Sequence, residues 1–399
     1  MRIAGIIAEY DPFHNGHKTH IDSVRADGAT HVVTVISGSF SQRGEPALLT
    51  KFDRAQMALA CGADLILENP LPFAMAPAER FALGGVGVLH ALGCVDTLSF
   101  GSECGDAAAL QALAALINTP AYANALKDAL ATGIPYAAAR QRAVEMCKAD
   151  DLAALLDNPN NTLGLEYIRA SATIFADFHF HTLKRVGAAH NADEISGGIA
   201  SASYLRERIR SGKAAEAVAC MPSASAKILE KAIASGRIAT HTDVLEHALL
   251  ARLRTMELAD FAKLPYISEG LEHRLYQASR AAESYTELLA TVKTRRYPTA
   301  RLRRVLWAAL LGLSREDTYP APPYIRVLAM NERGREILST AVPTLPILTR
   351  TAQVRELSAE AQALFTLECH ATDLHGLALA SPTACGTDLT NKLITTDTL

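Results

Sequence analysis

The chain has 399 residues, 49% of them apolar and 20% charged, with a formal net charge of −3. That balance fits a soluble enzyme of two or three domains and excludes a disordered chain, and no apolar run reaches the length of a membrane span. Seven cysteines at 61, 94, 104, 147, 220, 369 and 385 contain no C-x-x-C pair, which predicts reduced thiols in a cytoplasmic protein, without a disulfide framework or a zinc site.

The first predicted strand, Ile3–Ala8, starts so close to the N-terminus that no signal peptide is expected. It runs into a polar turn, Glu9-Tyr10-Asp11-Pro12-Phe13, then His14-Asn15-Gly16-His17, and helical spacing begins at Lys18. A buried strand feeding a turn and a helix is the opening of a nucleotide-binding α/β unit. The helix N-terminus offers free N–H groups and the positive end of a dipole to an anion. His14 and His17 add donors where charge develops on a phosphorus, and Gly16 permits close approach. These two histidines are the expected catalytic residues of a His-x-Gly-His nucleotidyltransferase. No Gly-x-x-x-x-Gly-Lys-[Ser/Thr] loop occurs, which argues against a P-loop enzyme.

Further strands are expected at His31–Ser37, Leu65–Glu68, Thr97–Phe100 and Thr182–Val186. Intervening helical patterns imply a parallel, Rossmann-like sheet. The loop from Ser37 to Lys51 carries Gln42, Arg43, Glu45 and Lys51, which position a second substrate or the leaving pyrophosphate, or are merely solvated. A helix follows from about Thr50 to Cys61. Gly101, in the turn Phe100-Gly101-Ser102-Glu103 after a strand, either borders an adenine or ribose or serves only the turn. Residues 106–156 read as an alanine-rich helical insertion or lid ahead of Asn158-Pro159-Asn160-Asn161.

Ser201 and Ser203, with Arg206 one helical turn on, predict a second phosphate site or, more simply, a helix cap with a surface arginine. Arg185 is a further cation near the same crevice. The nucleotide-binding domain is expected to end near Arg210, followed by a mostly α-helical domain over 211–380 and a polar, frayed tail over 381–399. Residues 206–304 hold 18 Lys plus Arg against 11 Asp plus Glu, a basic middle in an acidic chain. Within it, Lys293, Arg295, Arg296, Arg301, Arg303 and Arg304, with Tyr297 interleaved, suit RNA backbone contacts and base stacking, or form a solvated face. Trp307 and Phe365 are expected in cores. His179, His181, His190, His241 and His247 lack metal-ligand spacing and are expected to be structural or exposed.

The runs EYDPFHNGH, SGSFSQRGEPALLTKFDRAQMAL, FGSE, NPNNTLGLEY, TLKRVGAAH, IASASYLR and RRYPTARLRR resemble the bacterial tRNA(Met) cytidine acetate ligases, in order and up to about residue 340. The resemblance implies acetylation of N4 of the wobble cytidine of elongator tRNA(Met), with acetate and ATP as the other substrates and acetyl-adenylate as intermediate. Neither a membrane nor DNA is an expected partner. It also implies an ATP-contacting segment comprising Ile7, Ala8, Glu9, Tyr10, Asp11, Pro12, Phe13, His14, Asn15, Gly16, His17, Lys18, Thr19 and His20. Single ATP contacts are implied at Gly101, Asn160 and Arg185. Where the family usually has Asn, this chain has Asp11, a carboxylate expected to weaken ATP or draw in Mg²⁺. Two rival readings share parts of these features: a nucleotidyltransferase making a dinucleotide cofactor or nucleotide-linked metabolite, and a non-catalytic RNA-binding protein on a nucleotide-binding fold.

Overall fold

The computed structural model describes residues 1–185 and 198–396. Its first strand, β1 (Ile3–Ala8), sends Ala4 and Ile6 into one core and Ile3 and Ile7 into another, as the two-residue period of a strand requires. Both faces are covered by helices, so the whole run is apolar. Strands β2 (His31–Ser37), β3 (Leu65–Asn69), β4 (Thr97–Ser102) and β5 (His179–Lys184) join it in the parallel order β5-β4-β1-β2-β3. The chain leaves β1 toward β2 on one side and returns to β4 on the other. The carboxyl ends of β1 and β4 therefore frame a crevice at the topological switch point.

Helices α1 (Asn15–Ala26) and α2 (Lys51–Ala60) cover one face through Ile21, Val24, Met57 and Ala58. The helices Ala78–Ala91 and Pro159–Thr173 cover the other through Phe81, Val86, Leu165 and Ile168. Helices Thr242–Thr255, Leu271–Ala281 and Thr299–Leu311 build a separate core around Trp307, with Leu249 and Leu275. Phe365 packs against Tyr324 in a smaller cluster.

Several expectations need correction. Helix α1 begins at Asn15, three residues before Lys18, because His14 caps it. Strand β5 begins at His179 and ends at Lys184; its mixed sequence HFHTLK lacks the apolar signature of a central strand because it forms the sheet edge. Val186 and His190 lie outside the described residues. The segment 106–156, expected as a helical insertion or lid, packs onto the sheet: Leu110, Leu113, Tyr122 and Val144 are buried in the same core.

Nor does the sheet close near Arg210. Strand β6 (Ile325–Met330) lies antiparallel to β3, and β7 (Ile347–Leu348) and β8 (Ile394–Thr395) pair with β6. Five apolar residues interrupted by Arg326, between helical segments, cannot be told from a buried helix turn by periodicity.

Within the described part of the tail, residues 381–396, Asp388 is an anchor point that a frayed segment would lack. Asp388 is fully buried, with its Oδ1 at 2.9 Å from Lys51 Nζ and 2.6 Å from Arg326. Lys51 also meets Glu68 Oε1 at 2.7 Å, and Arg326 meets Glu68 Oε2 at 3.0 Å. Burial, reinforced by the charge of Glu68, pushes the neighbouring Glu368 carboxyl well above the usual carboxylate range. Two cations then face two anions with Glu368 neutral. An Asp388→Ala change leaves two buried cations short of a partner and is expected to cost about 3–5 kcal/mol in urea denaturation followed by Trp307 fluorescence. A loss below about 1 kcal/mol would show that the tail is held by other contacts.

His375, on the helix Ala359–Leu377, donates from Nε2 to the Ala47 carbonyl at 2.7 Å, and burial pushes its pKa down to about 4. An imidazole in an unfolded chain titrates near 6.5. Below that pH the unfolded chain takes up a proton that the folded one refuses. The stability this ring contributes is therefore complete above about pH 6.5 and is lost as pH falls toward 4. At pH 5 the loss amounts to about 2 kcal/mol. Melting temperatures from pH 7 to pH 5 should fall less steeply in a His375→Gln variant; parallel curves would remove this ring from the acid sensitivity.

Candidate active site

The turn after β1 is held from below. Arg54 on α2, 1% exposed, donates to the carbonyls of Glu9 at 2.7 Å, Ser37 at 3.0 Å and Leu49 at 3.3 Å, and to that of Gly38. One guanidinium thus ties together the ends of β1 and β2. Within the turn Tyr10 adopts φ +51° and packs its ring 4.8 Å from Phe13 and 4.8 Å from His17. The Asp11 carboxylate accepts the N–H of Leu48 at 2.9 Å and that of Leu49 at 3.2 Å. It is therefore engaged by backbone donors of the next loop, which a single amide oxygen would serve less completely. The carboxylate expected to weaken ATP or draw in Mg²⁺ is thus already held by two backbone N–H groups at the edge of the cavity. Among the described residues no group of three His, Cys, Asp or Glu could hold a metal ion.

At the start of α1 two histidines cap the helix reciprocally. His14 Nδ1 accepts the N–H of Gly16 at 3.1 Å, and His17 Nδ1 accepts the N–H of His14 at 3.2 Å. The rings stack with centroids 3.7 Å apart. A nitrogen that accepts must be unprotonated, so each neutral ring carries its proton on Nε2. Burial is the main cause that pushes His14 down to about 3, aided by Arg185 and Arg206; burial also holds His17 well below the ordinary value. The pair is thus two neutral Nε2–H donors. A Cβ at Gly16 would lie 3.0 Å from the folded-back His14 ring, so any larger residue would press that ring to shift by a few tenths of an ångström.

These groups open into a cavity of about 640 Å³ at the carboxyl ends of β1 and β4. Ile7, Ala8, Glu9, Tyr10, Asp11, His14, Gly16, His17, Thr19 and His20 line it, with Gly101, Asn160, Arg185, Ser201, Ser203 and Arg206 from later segments. The Arg206 guanidinium donates to the Asp11 carbonyl at 2.8 Å. Ser201 caps its helix by accepting the N–H of Tyr204 at 3.2 Å, and its hydroxyl meets that of Ser203 at 3.0 Å. The Asn160 side-chain amide donates to the Glu103 carboxylate at 2.6 Å.

Four residues of the expected nucleotide segment do not line the cavity. Pro12 and Phe13 are buried beneath the turn, where Phe13 joins the core of α1. Asn15 donates to the Gly198 carbonyl at 3.0 Å, and Lys18 pairs with Asp22 along the outer face of α1. Conversely, Phe81, Leu163 and Tyr167, which sequence reasoning missed, form an apolar wall with Phe100 of the turn before Gly101. Their only signal is hydrophobicity, which a core position shares.

The polar loop after β2 reaches the cavity with Ser41, Gln42 and Arg43. Two other residues expected to serve a substrate do not: Lys51 is buried in the ion cluster, and Glu45 pairs with Arg303. The loop tip rests on the helix Thr299–Leu311. Gly44 has φ +71°, and a Cβ there would lie 2.7 Å from the Arg304 backbone nitrogen, so only glycine fits. Arg304 donates to the Gln42 carbonyl at 3.2 Å, and Arg301 to the Tyr266 carbonyl at 2.9 Å. The expected basic stretch is thus divided. Lys293, Arg295 and Arg296 are exposed, whereas Arg301, Arg303 and Arg304 are half-buried and hold protein partners. Tyr297, expected to stack on bases, is buried and donates its hydroxyl to the Glu269 carbonyl at 2.9 Å.

Comparison with known proteins agrees with this geometry. The family described as HIGH Nucleotidyl Transferase matches residues 1–388. The tRNA(Met) cytidine acetate ligase of Acetivibrio thermocellus is 35% identical, over 99% of this chain and 100% of its own. That of Alkaliphilus metalliredigens is 36% identical, over 95% of each. Among solved structures, Thermotoga maritima TmcAL without ligand superposes with a TM-score of 0.94 at 33% identity, over 99% of this chain and 100% of the other. The same protein bound with alpha-thio ATP gives 0.91 at 32% identity, with the same coverage. Relatives matched from end to end, together with a histidine pair at the mouth of β1, establish that the chain belongs to the HIGH nucleotidyltransferase family, among the tRNA(Met) cytidine acetate ligases.

Proposed function

We propose that the chain is an ATP-dependent ligase that activates acetate as acetyl-adenylate and transfers the acetyl group to N4 of the wobble cytidine of elongator tRNA(Met). The names of its relatives support the reaction, and the neighbour bound with alpha-thio ATP supports ATP as substrate. A tRNA substrate puts the work of the protein in the cytoplasm. The observation that carries the mechanism is the stacked, reciprocally capped pair His14–His17 at the cavity.

In the first step an acetate oxygen attacks the α-phosphorus of ATP, the bond to the β-phosphate oxygen breaks, and pyrophosphate leaves. Negative charge grows on the α-phosphate oxygens. The Nε2–H groups of His14 and His17 are fixed by their caps before the reaction begins and stabilise that charge without reorganisation. Arg185 and Arg206, both lining the cavity, add positive charge. Ser201 and Ser203 offer hydroxyls at a second phosphate position. In the second step the exocyclic amine of cytosine attacks the acetyl carbonyl and AMP leaves. This amine is a weak nucleophile, so placement supplies much of the rate. A single-stranded anticodon base reaches the cavity at small cost. Lys293, Arg295 and Arg296 form the exposed cationic surface for the tRNA backbone.

A His17→Ala variant should lose acetate-dependent ATP–pyrophosphate exchange by about 100-fold or more, as expected for a donor to developing charge. Exchange at an unaltered rate would take the ring out of the mechanism. Neutralising Lys293, Arg295 and Arg296 together should raise the KM for tRNA and flatten its salt dependence, with exchange unchanged. An unchanged KM for tRNA would move the RNA surface elsewhere.

A further inference from the structure

We propose that His20, Ser99 and His181 form a relay that carries the proton released on acyl transfer out of the cavity to solvent beside β5. His20 lines the cavity from α1, and its Nε2 lies 2.7 Å from Ser99 Oγ. Ser99, on β4, is fully buried, and its Oγ lies 2.8 Å from His181 Nδ1 on β5. The register of the two strands sets Ser99 opposite His181. His181 is half-exposed, and its Nε2 comes within 3.4 Å of Ser23 Oγ, also half-exposed. An unbroken line of hydrogen-bonding groups therefore runs from cavity to surface.

The direction follows from the chemistry of the groups. With its proton on Nε2, His20 donates to Ser99, whose own hydroxyl hydrogen is then free to point at His181 Nδ1. That leaves His20 Nδ1 to take a proton from the cavity while the chain passes one outward. His17 and Arg185 face His20, and Asp27, His179 and Arg2 face His181. Burial keeps His20 at about 3 and lowers His181, so both rings wait in the neutral form that a relay needs.

This inference rests on the ligase reading, and the two half-reactions separate it from that reading. Activation joins an acetate oxygen to phosphorus and expels pyrophosphate; no proton is released. In transfer, nitrogen bonds to the acetyl carbon, the acyl–oxygen bond breaks, its electron pair leaves with AMP, and one N–H proton must depart. Ser99 and His181 are thus positioning residues that act through His20.

The test uses the full chain with acetate, ATP and an elongator tRNA(Met) transcript. In Ser99→Ala, acetate-dependent ATP–pyrophosphate exchange should stay within about twofold. Single-turnover transfer from preformed acetyl-adenylate should slow by about 10- to 100-fold. Ser99→Thr should retain the transfer rate, and added imidazole should restore part of it to His181→Gly. Unaltered transfer in Ser99→Ala would overturn the relay. So would equal loss in both half-reactions with no imidazole rescue, the mark of a merely structural link between α1 and the sheet. No acetate-dependent exchange in the unaltered chain would instead overturn the ligase reading.

Discussion

The site depends on two backbone N–H groups at the start of α1 that are satisfied by imidazole nitrogens rather than by hydroxyls or carboxylates. Ordinary caps use Ser, Thr, Asp or Asn because an oxygen accepts well at that distance. An imidazole does the same with Nδ1 and keeps a second polar atom two bonds away. The cap thereby fixes the tautomer, and Nε2–H becomes a donor with no freedom to swap roles. Stacking at 3.7 Å would oppose two positive rings, so neutrality and geometry support each other.

The surrounding structure serves to hold that arrangement open. Arg54 gathers carbonyls from the ends of β1 and β2, and Asp11 gathers amides from the loop that follows β2. The tip of this loop is seated on Arg303 and Arg304 of the helical half. The basic helix is thus joined to the nucleotide cavity through one loop. Gln42, whose carbonyl accepts from Arg304 on Thr299–Leu311, and its neighbour Arg43 both line the cavity.

How much was legible follows from what each feature looks like in one dimension. The first strand, the His-x-Gly-His turn, the crevice and the later polar contributors Gly101, Arg185, Ser201 and Arg206 announce themselves, because their residue types carry function at a recognisable spacing. Phe81, Leu163 and Tyr167 do not, since an apolar side chain facing a cavity reads like one facing a core. Lys51, Arg303 and Arg304 misled for the opposite reason. Charge suggests solvent or ligand, yet their partners Glu68, Asp388, Glu45 and the Gln42 carbonyl are distant in sequence. Strand β6 escaped because five apolar residues around a single Arg326 have no diagnostic period.

The buried cluster of Lys51, Glu68, Arg326 and Asp388 gathers charges from widely separated stretches of chain. During synthesis Lys51 and Glu68 leave the ribosome long before either of the others. Until residue 388 follows, the growing sheet lacks its antiparallel neighbour β6 or retains a cation excess at its edge. The edge of the sheet therefore reaches its final charge balance only when Asp388 is in place, so the last residues of the chain belong to one folding unit with Lys51 near its beginning.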